Sequence, residues 1–165
     1  MIRQAVQEDL QTVIQIVKDA VKIMNEQGNY QWHEDYPAIS DYQGDLDKQE
    51  LYVYGLDGQV AGAATISKTG HEEYPSVSWT LPDPALVIKR VVVSPHARKA
   101  GIANALFQYA EKIAKEQGIF YLKTDTFEKN EAAQKLFKRM GFHFIGTREV
   151  NEKNGSLCYY EKILK

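Results

Sequence analysis

The stretch with the clearest chemical potential is Val91-Val92-Val93-Ser94-Pro95-His96-Ala97-Arg98-Lys99-Ala100-Gly101-Ile102-Ala103-Asn104. A β-branched run, Leu86 to Val93, reads as a buried strand. Ser94-Pro95 ends it, and the polar loop His96 to Ala100 opens an amphipathic helix. At a helix start, backbone N–H groups without acceptors cluster at the positive end of the helix dipole. That geometry binds phosphate groups. Gly101 and Ala103 carry little or no side chain, so a ligand has close access to the backbone. Arg98 and Lys99 put positive charge at the helix end where cations do not help the helix, which points to an anionic ligand. The same residues would also serve as a plain surface turn with a solvated Arg and Lys. The Gly-x-x-x-x-Gly-Lys-Ser/Thr order of a P-loop is missing, and the glycines are too few for a dinucleotide fingerprint.

The elements that must position this loop follow from periodicity. Ile2 to Val6 reads as a short first strand. Leu10, Val13, Ile14, Val17, Val21 and Met24 share one face of a helix that Gly28 stops. Asn29 to Pro37 is an aromatic loop, and a short helical piece follows over Ala38 to Lys48. Leu51 to Tyr54 and Val60 to Ser67 form a hairpin around Asp57-Gly58. Thr69 to Pro84 is a long polar loop or a ragged extension of the sheet. Ile102, Ala105, Leu106, Tyr109, Ile113 and Ala114 share the inner face of the second strong helix, which Gly118 ends. Tyr121 to Phe127 is a strand. Ala133, Leu136, Phe137 and Met140 mark a short helix closed by Gly141. Phe142 to Ile145 and Leu157 to Ile163 are two final strands around a turn at Asn154-Gly155. Interleaved strands and helices make this a mixed α/β sheet protein.

The whole-chain properties narrow the field. The 165 residues are one domain's worth, 1–165, with no linker or repeat. The 20 basic and 22 acidic residues give a formal net charge of -2, so no nucleic acid and no anionic membrane is expected as a partner. The N-terminus lacks an apolar signal segment and no run approaches a membrane span, so the expected location is cytoplasmic. Cys158 is the single cysteine, which excludes an intrachain disulfide and a multi-Cys metal site; no metal is expected.

Arg98-Lys99-Ala100-Gly101-Ile102-Ala103 resembles the Gln/Arg-x-x-Gly-x-Gly/Ala signature of the GNAT N-acetyltransferase family, bacterial type. Asn130, Ala133, Phe137, Gly141 and Phe142 match its downstream Asn-x-x-Ala-x-x-x-Tyr/Phe-x-x-x-Gly-Phe segment. The resemblance implies a central mixed, mostly antiparallel, splayed sheet flanked by helices. It implies acetyl-CoA as acetyl donor and a primary amine, on a small molecule or a protein, as acceptor. A homodimer would be compatible with it. The backbone of Val91, Val92 and Val93 would pair with the thioester arm. Lys99, Ala100, Gly101, Ile102, Ala103 and Asn104 would cradle the pyrophosphate, with Arg98 at the edge. Asn130 would bond the arm or a water, and Ala133 and Phe137 would line its far side.

For the chemistry, the resemblance implies an oxyanion donor at a strand N–H such as that of Val93. It implies a general base at Asp125, for which a structural ion or hydrogen-bond partner is the competing role. Glu128, His33 and His71 are weaker candidates for the base. Many members carry Tyr at the Phe137 position as the acid for the leaving thiolate, and Phe has no hydroxyl. Tyr121, Tyr159 or water are the substitutes. The acceptor wall is expected at Tyr30, Trp32 and Glu34, by cation–π attraction and charge, with Trp32 equally suited to packing. Trp79 is a further candidate for that cleft. A non-catalytic acyl-CoA sensor of the same fold is the alternative function.

Overall fold

The computed structural model describes residues 1–97, 100–150 and 155–164. Arg98, Lys99 and Asn154, all singled out by sequence, lie outside the described residues. The strands are β1 (Ile2–Gln4), β2 (Leu51–Leu56), β3 (Gln59–Ser67), β4 (Leu86–Val93), β5 (Tyr121–Phe127), β6 (His143–Val150) and β7 (Gly155–Ile163). They form a 7-stranded sheet in the order β1-β2-β3-β4-β5-β7-β6. All neighbours are antiparallel except β4 and β5. The helices are α1 (Leu10–Glu26), α2 (Ile39–Asp47), α3 (Ile102–Glu116) and α4 (Glu131–Arg139). Among the described residues no helix is long and apolar enough to cross a membrane.

Side-chain alternation along β3 sorts the two faces. Ala63 joins Val53 and Val92 beneath Val13, Val17 and Val21 of α1, together with Tyr42 of α2. Ala64 turns the other way, onto Ile102 and Leu106 of α3. Farther along that second face, Ile88 and Leu122 pack with Phe107 of α3 and Leu136 and Phe137 of α4. Over β5 and β7 the first face is covered by the segment 68–85, through Tyr74 and Trp79. This segment is a long loop with one 3-10 turn, Tyr74–Ser76. The strand β6 runs past the Ile145 expected from sequence, to Val150.

The functional geometry starts in the middle of β4. Ala63 faces Val92 and Thr65 faces Lys89, so Ala64 meets two residues, Arg90 and Val91. This bulge holds Arg90 at φ 51, a left-handed conformation that costs a non-glycine residue roughly 1–2 kcal/mol. The surroundings over-determine it. Arg90 Nε and Nη2 donate to the two oxygens of Asp45 on α2 at 2.7 and 2.6 Å. Thr65 Oγ1 donates to Asp45 Oδ2 at 2.6 Å, and the Tyr42 hydroxyl donates to the Arg90 carbonyl at 3.3 Å. Burial works against the charge on Arg90, but the bonds from Asp45 more than offset it and hold the guanidinium above its ordinary pKa.

A bulge bends its strand, and β4 leaves β5 where this one begins. Parallel pairing is confined to Leu86 with Leu122 and Val87 with Lys123. A side chain makes one more link, Thr124 Oγ1 to the Ile88 carbonyl at 2.8 Å. Beyond it the strands diverge into a cleft. Replacing Asp45 by Asn should therefore strand a buried cation as well as loosen the bulge. We expect Asp45→Asn to lose about 3 kcal/mol or more, measured by urea unfolding.

Candidate active site

The cleft between the diverging strands has a volume of about 810 Å³ and is lined from β4, β5, both long helices and α4. At one end stands the N-terminus of α3. Ala105 N donates to the Gly101 carbonyl at 3.0 Å, the first helical bond, so the amides of Ile102, Ala103 and Asn104 have no helical acceptor. Gly101 caps the helix at φ 71, and a Cβ there would meet nothing within 4 Å. The glycine thus supplies the left-handed turn and leaves the approach to those amides open. Ile102 sends its side chain into the core, while Ala103 and Asn104 line the cleft. Ala100 is exposed and outside the lining. Arg139 brings positive charge to the same end, its Nη2 donating to Asn104 Oδ1 at 3.1 Å. Free amides, a helix dipole and a flanking cation together suit a pyrophosphate.

The middle of the cleft is apolar and edged by backbone. Ser94 N donates to the Ala61 carbonyl on β3. Strand alternation then turns the Val93 amide away from β3, toward the gap. Val91, Val92 and Val93 all line the cleft on this side. Opposite them, Asn130 caps α4 by accepting from Ala133 N at 3.1 Å. Ala133 is half-buried, and Phe137 lies in an aromatic cluster with Phe107, Phe142 and Tyr160. Asn130, Ala133 and Phe137 therefore hold the wall together as well as lining it.

At the other end the lining turns polar. Asp125 projects from β5, and Tyr74 donates its hydroxyl to Asp125 Oδ1 at 2.6 Å. Burial first, and then the carboxylate, push the Tyr74 hydroxyl well above its usual pKa, which keeps it a donor. Gly70 makes room for this ring, because a Cβ there would come within 2.3 Å of Tyr74 Cδ2. Trp79 Nε1 donates to the Tyr74 carbonyl at 2.8 Å, and the Tyr159 ring stands edge-on to both Tyr74 and Trp79. The Tyr159 hydroxyl is committed to Glu73 at 2.9 Å. Tyr121 donates to Glu161, and burial followed by that bond pushes it up to about 12. His71 lines this end. Glu128 is exposed and His33 lies in the surface loop, both off the lining.

Of the acceptor residues expected from sequence, Trp32 lines the cleft but is only 8% exposed and packs with α1. Tyr30 and Glu34 are exposed and not in the lining. Their neighbours Gln31 and Tyr36 occupy it instead. Gln31 Oε1 accepts from Phe127 N at 2.8 Å, and the Tyr36 hydroxyl accepts from Arg90 Nη1 at 3.4 Å. Gln31 and Tyr36 belong to the aromatic loop that the sequence points to, whereas Arg90 and Tyr74 are not singled out by it. Only Arg90 left a trace, as a charge breaking the apolar run of β4. Cys158 is buried beside α3 and α4, and burial pushes its thiol up.

The Acetyltransferase (GNAT) family model matches residues 17–142. This chain belongs to the GNAT acetyltransferase family. A streptothricin acetyltransferase of Streptomyces lavendulae is 30% identical over 102 residues, covering 62% of this chain and 48% of that protein. The chain thus spans about half the length of that curated relative. Among solved structures, a GNAT family acetyltransferase of Streptococcus agalactiae 2603 shares the fold. Its TM-score is 0.86 at 23% identity, over 100% of this chain and 95% of that one. A ribosomal-protein-alanine N-acetyltransferase of Brucella melitensis superposes with a TM-score of 0.75 at 25% identity, over 99% of each chain.

Placing a carboxylate over the α3 amides tests the anion site. Gly101→Glu should lower acetyl-CoA affinity at least about tenfold by calorimetry, and the left-handed turn should cost roughly 1 kcal/mol of stability. Unchanged affinity would overturn the assignment of this helix end.

Proposed function

We propose that this chain is a single-domain, acetyl-CoA-dependent N-acetyltransferase that acetylates a primary amine by direct transfer in a ternary complex. One observation carries the reading. The cleft of the splayed β4 and β5 runs from the open amides of α3 at one end to the Asp125 carboxylate at the other. A donor whose pyrophosphate rests on Ile102, Ala103 and Asn104 would extend its thioester arm along Val91 to Val93. Arg98 and Lys99 would add charge at the phosphate end.

In this reading Asp125 draws the acceptor ammonium and takes its proton, directly or through water. The amine nitrogen forms a bond to the acetyl carbonyl carbon while the Val93 amide receives the developing oxyanion. The carbon–sulfur bond then breaks with its electron pair on sulfur, and the second proton of the attacking nitrogen passes to water. Phe137 offers that sulfur no proton, and Tyr121 and Tyr159 are engaged with Glu161 and Glu73, which leaves water as the acid. Direct transfer is supported by Cys158, whose buried thiol is a poor acyl carrier. The relatives' names cover both acceptor classes, streptothricin and a protein alanine.

Phe137 favours one second reading, an acyl-CoA sensor that binds the donor without turnover. Thiol release across an amine panel separates the two. For the enzyme, Asp125→Asn should lower kcat roughly 100-fold or more and remove the acidic limb of the rate profile, with acetyl-CoA affinity unchanged. Equal turnover at every pH would remove Asp125 as the base.

A further inference from the structure

The segment 29–37 touches both strands that flank the gap. From it, Gln31 accepts from the backbone amide of Phe127, the last residue of β5, at 2.8 Å. Five residues on, Tyr36 accepts from Arg90 at the β4 bulge. Between them the segment is pinned from below and within. Asn25 Nδ2 of α1 donates to the carbonyls of Asn29 and Trp32, each at 2.9 Å. Gln31 N donates to Asn29 Oδ1 at 3.1 Å. His33 and Tyr36 exchange backbone hydrogen bonds of 2.7 and 3.0 Å, and Trp32 is sunk into the α1 core. The result is a strap laid from β4 to β5 across the acceptor end of the cleft.

An extended peptide has two ways to reach a splayed gap. It adds to a free strand edge through main-chain hydrogen bonds, or it runs along an open groove at about 3.3 Å per residue. The Gln31 carboxamide already occupies the Phe127 amide, which closes the end of the β5 edge. The strap crosses the groove. On the far side, Asp125 is backed by Tyr74 from the segment 68–85, which is itself fastened by Thr80 N to Glu161 at 3.0 Å and Leu81 N to the Tyr121 hydroxyl at 3.3 Å. What remains at this end is bounded by the strap on one side and by the segment 68–85 on the other.

We infer that the strap at 29–37 restricts the acceptor to a compact small-molecule amine and shuts out an extended protein N-terminus. This inference rests on the acetyl-transfer reading above and narrows its acceptor.

The test measures thiol release from acetyl-CoA with two sets of acceptors. One is a panel of small primary amines: cadaverine, spermidine, an aminosugar and an aminoglycoside. The other is a hexapeptide with a free α-amine and neutral side chains. We expect kcat/KM for at least one small amine to exceed that for the peptide by about a hundredfold. In Gln31→Ala that ratio should narrow at least about tenfold, and hydrogen exchange at the Phe127 amide should rise by a similar factor, with Tm within a few degrees of the parent. A peptide served as well as the best small amine would overturn the inference, as would unchanged Phe127 exchange in the variant. Saturable acetyl-CoA binding by calorimetry without release to either set would overturn it while leaving the donor site standing. Absence of acetyl-CoA binding would instead bring down the transfer reading on which it rests.

Discussion

A two-for-one mismatch between β3 and β4 governs the molecule. Ala64 faces both Arg90 and Val91, and the resulting bend ends the pairing of β4 with β5 after two residue pairs. No glycine eases this bend. An arginine sits at φ 51 instead, and the conformation persists because α2 places Asp45 and Tyr42 to hold it. A buried ion pair of this kind is weak evidence for net stability, since desolvation opposes its Coulomb attraction. Its value here lies in fixing one backbone geometry. The helix α2 is short and polar, and clamping the bulge explains why it packs where it does.

The two ends of the cleft solve opposite electrostatic problems with different materials. The α3 end offers positive potential made of backbone amides, a dipole and the side chain of Arg139. The far end offers one carboxylate backed by a neutral donor. There Tyr74 donates its hydroxyl to Asp125, whereas Asp45 is held by the charged Arg90. Gln31 and Tyr36 then frame the charged end from above, joining the walls that β4 and β5 leave apart.

Much of this was legible in the sequence, because much of it is local. Helical spacing gave α1 and α3, and Asp57-Gly58 gave the hairpin turn, with both residues at positive φ. The 98–103 and 130–142 segments announced the family because each carries its pattern within one short contiguous stretch. What stayed hidden is non-local. Gln31 meets Phe127 across 96 positions and Tyr74 meets Asp125 across 51. Neither residue type signals a distant partner. Trp32 looked equally suited to ligand and core, and only its burial separates the two. Nor could composition disclose a bulge at Arg90, a residue that carries none of the usual marks of left-handed backbone. The loop 29–37 does reach the cleft, but of Tyr30, Trp32 and Glu34 only Trp32 lines it, beside Gln31 and Tyr36.

The fastening of the segment 68–85 has a consequence for how the site comes into being. Its anchors are Asp125, Tyr121, Tyr159 and Glu161, all at least 40 positions downstream of the residues they hold. The strand β4 and helix α3 follow each other directly and need only short loops to meet. On a chain synthesised from its N-terminus, the α3 end of the cleft can therefore assemble before β7 exists, whereas Glu73 and Thr80 must wait for its side chains. Contacts between distant positions also form more slowly, because closing the longer loop costs more entropy. The cleft is thus completed from the α3 end toward the Asp125 end, and the last strand to be made is the one that finishes it.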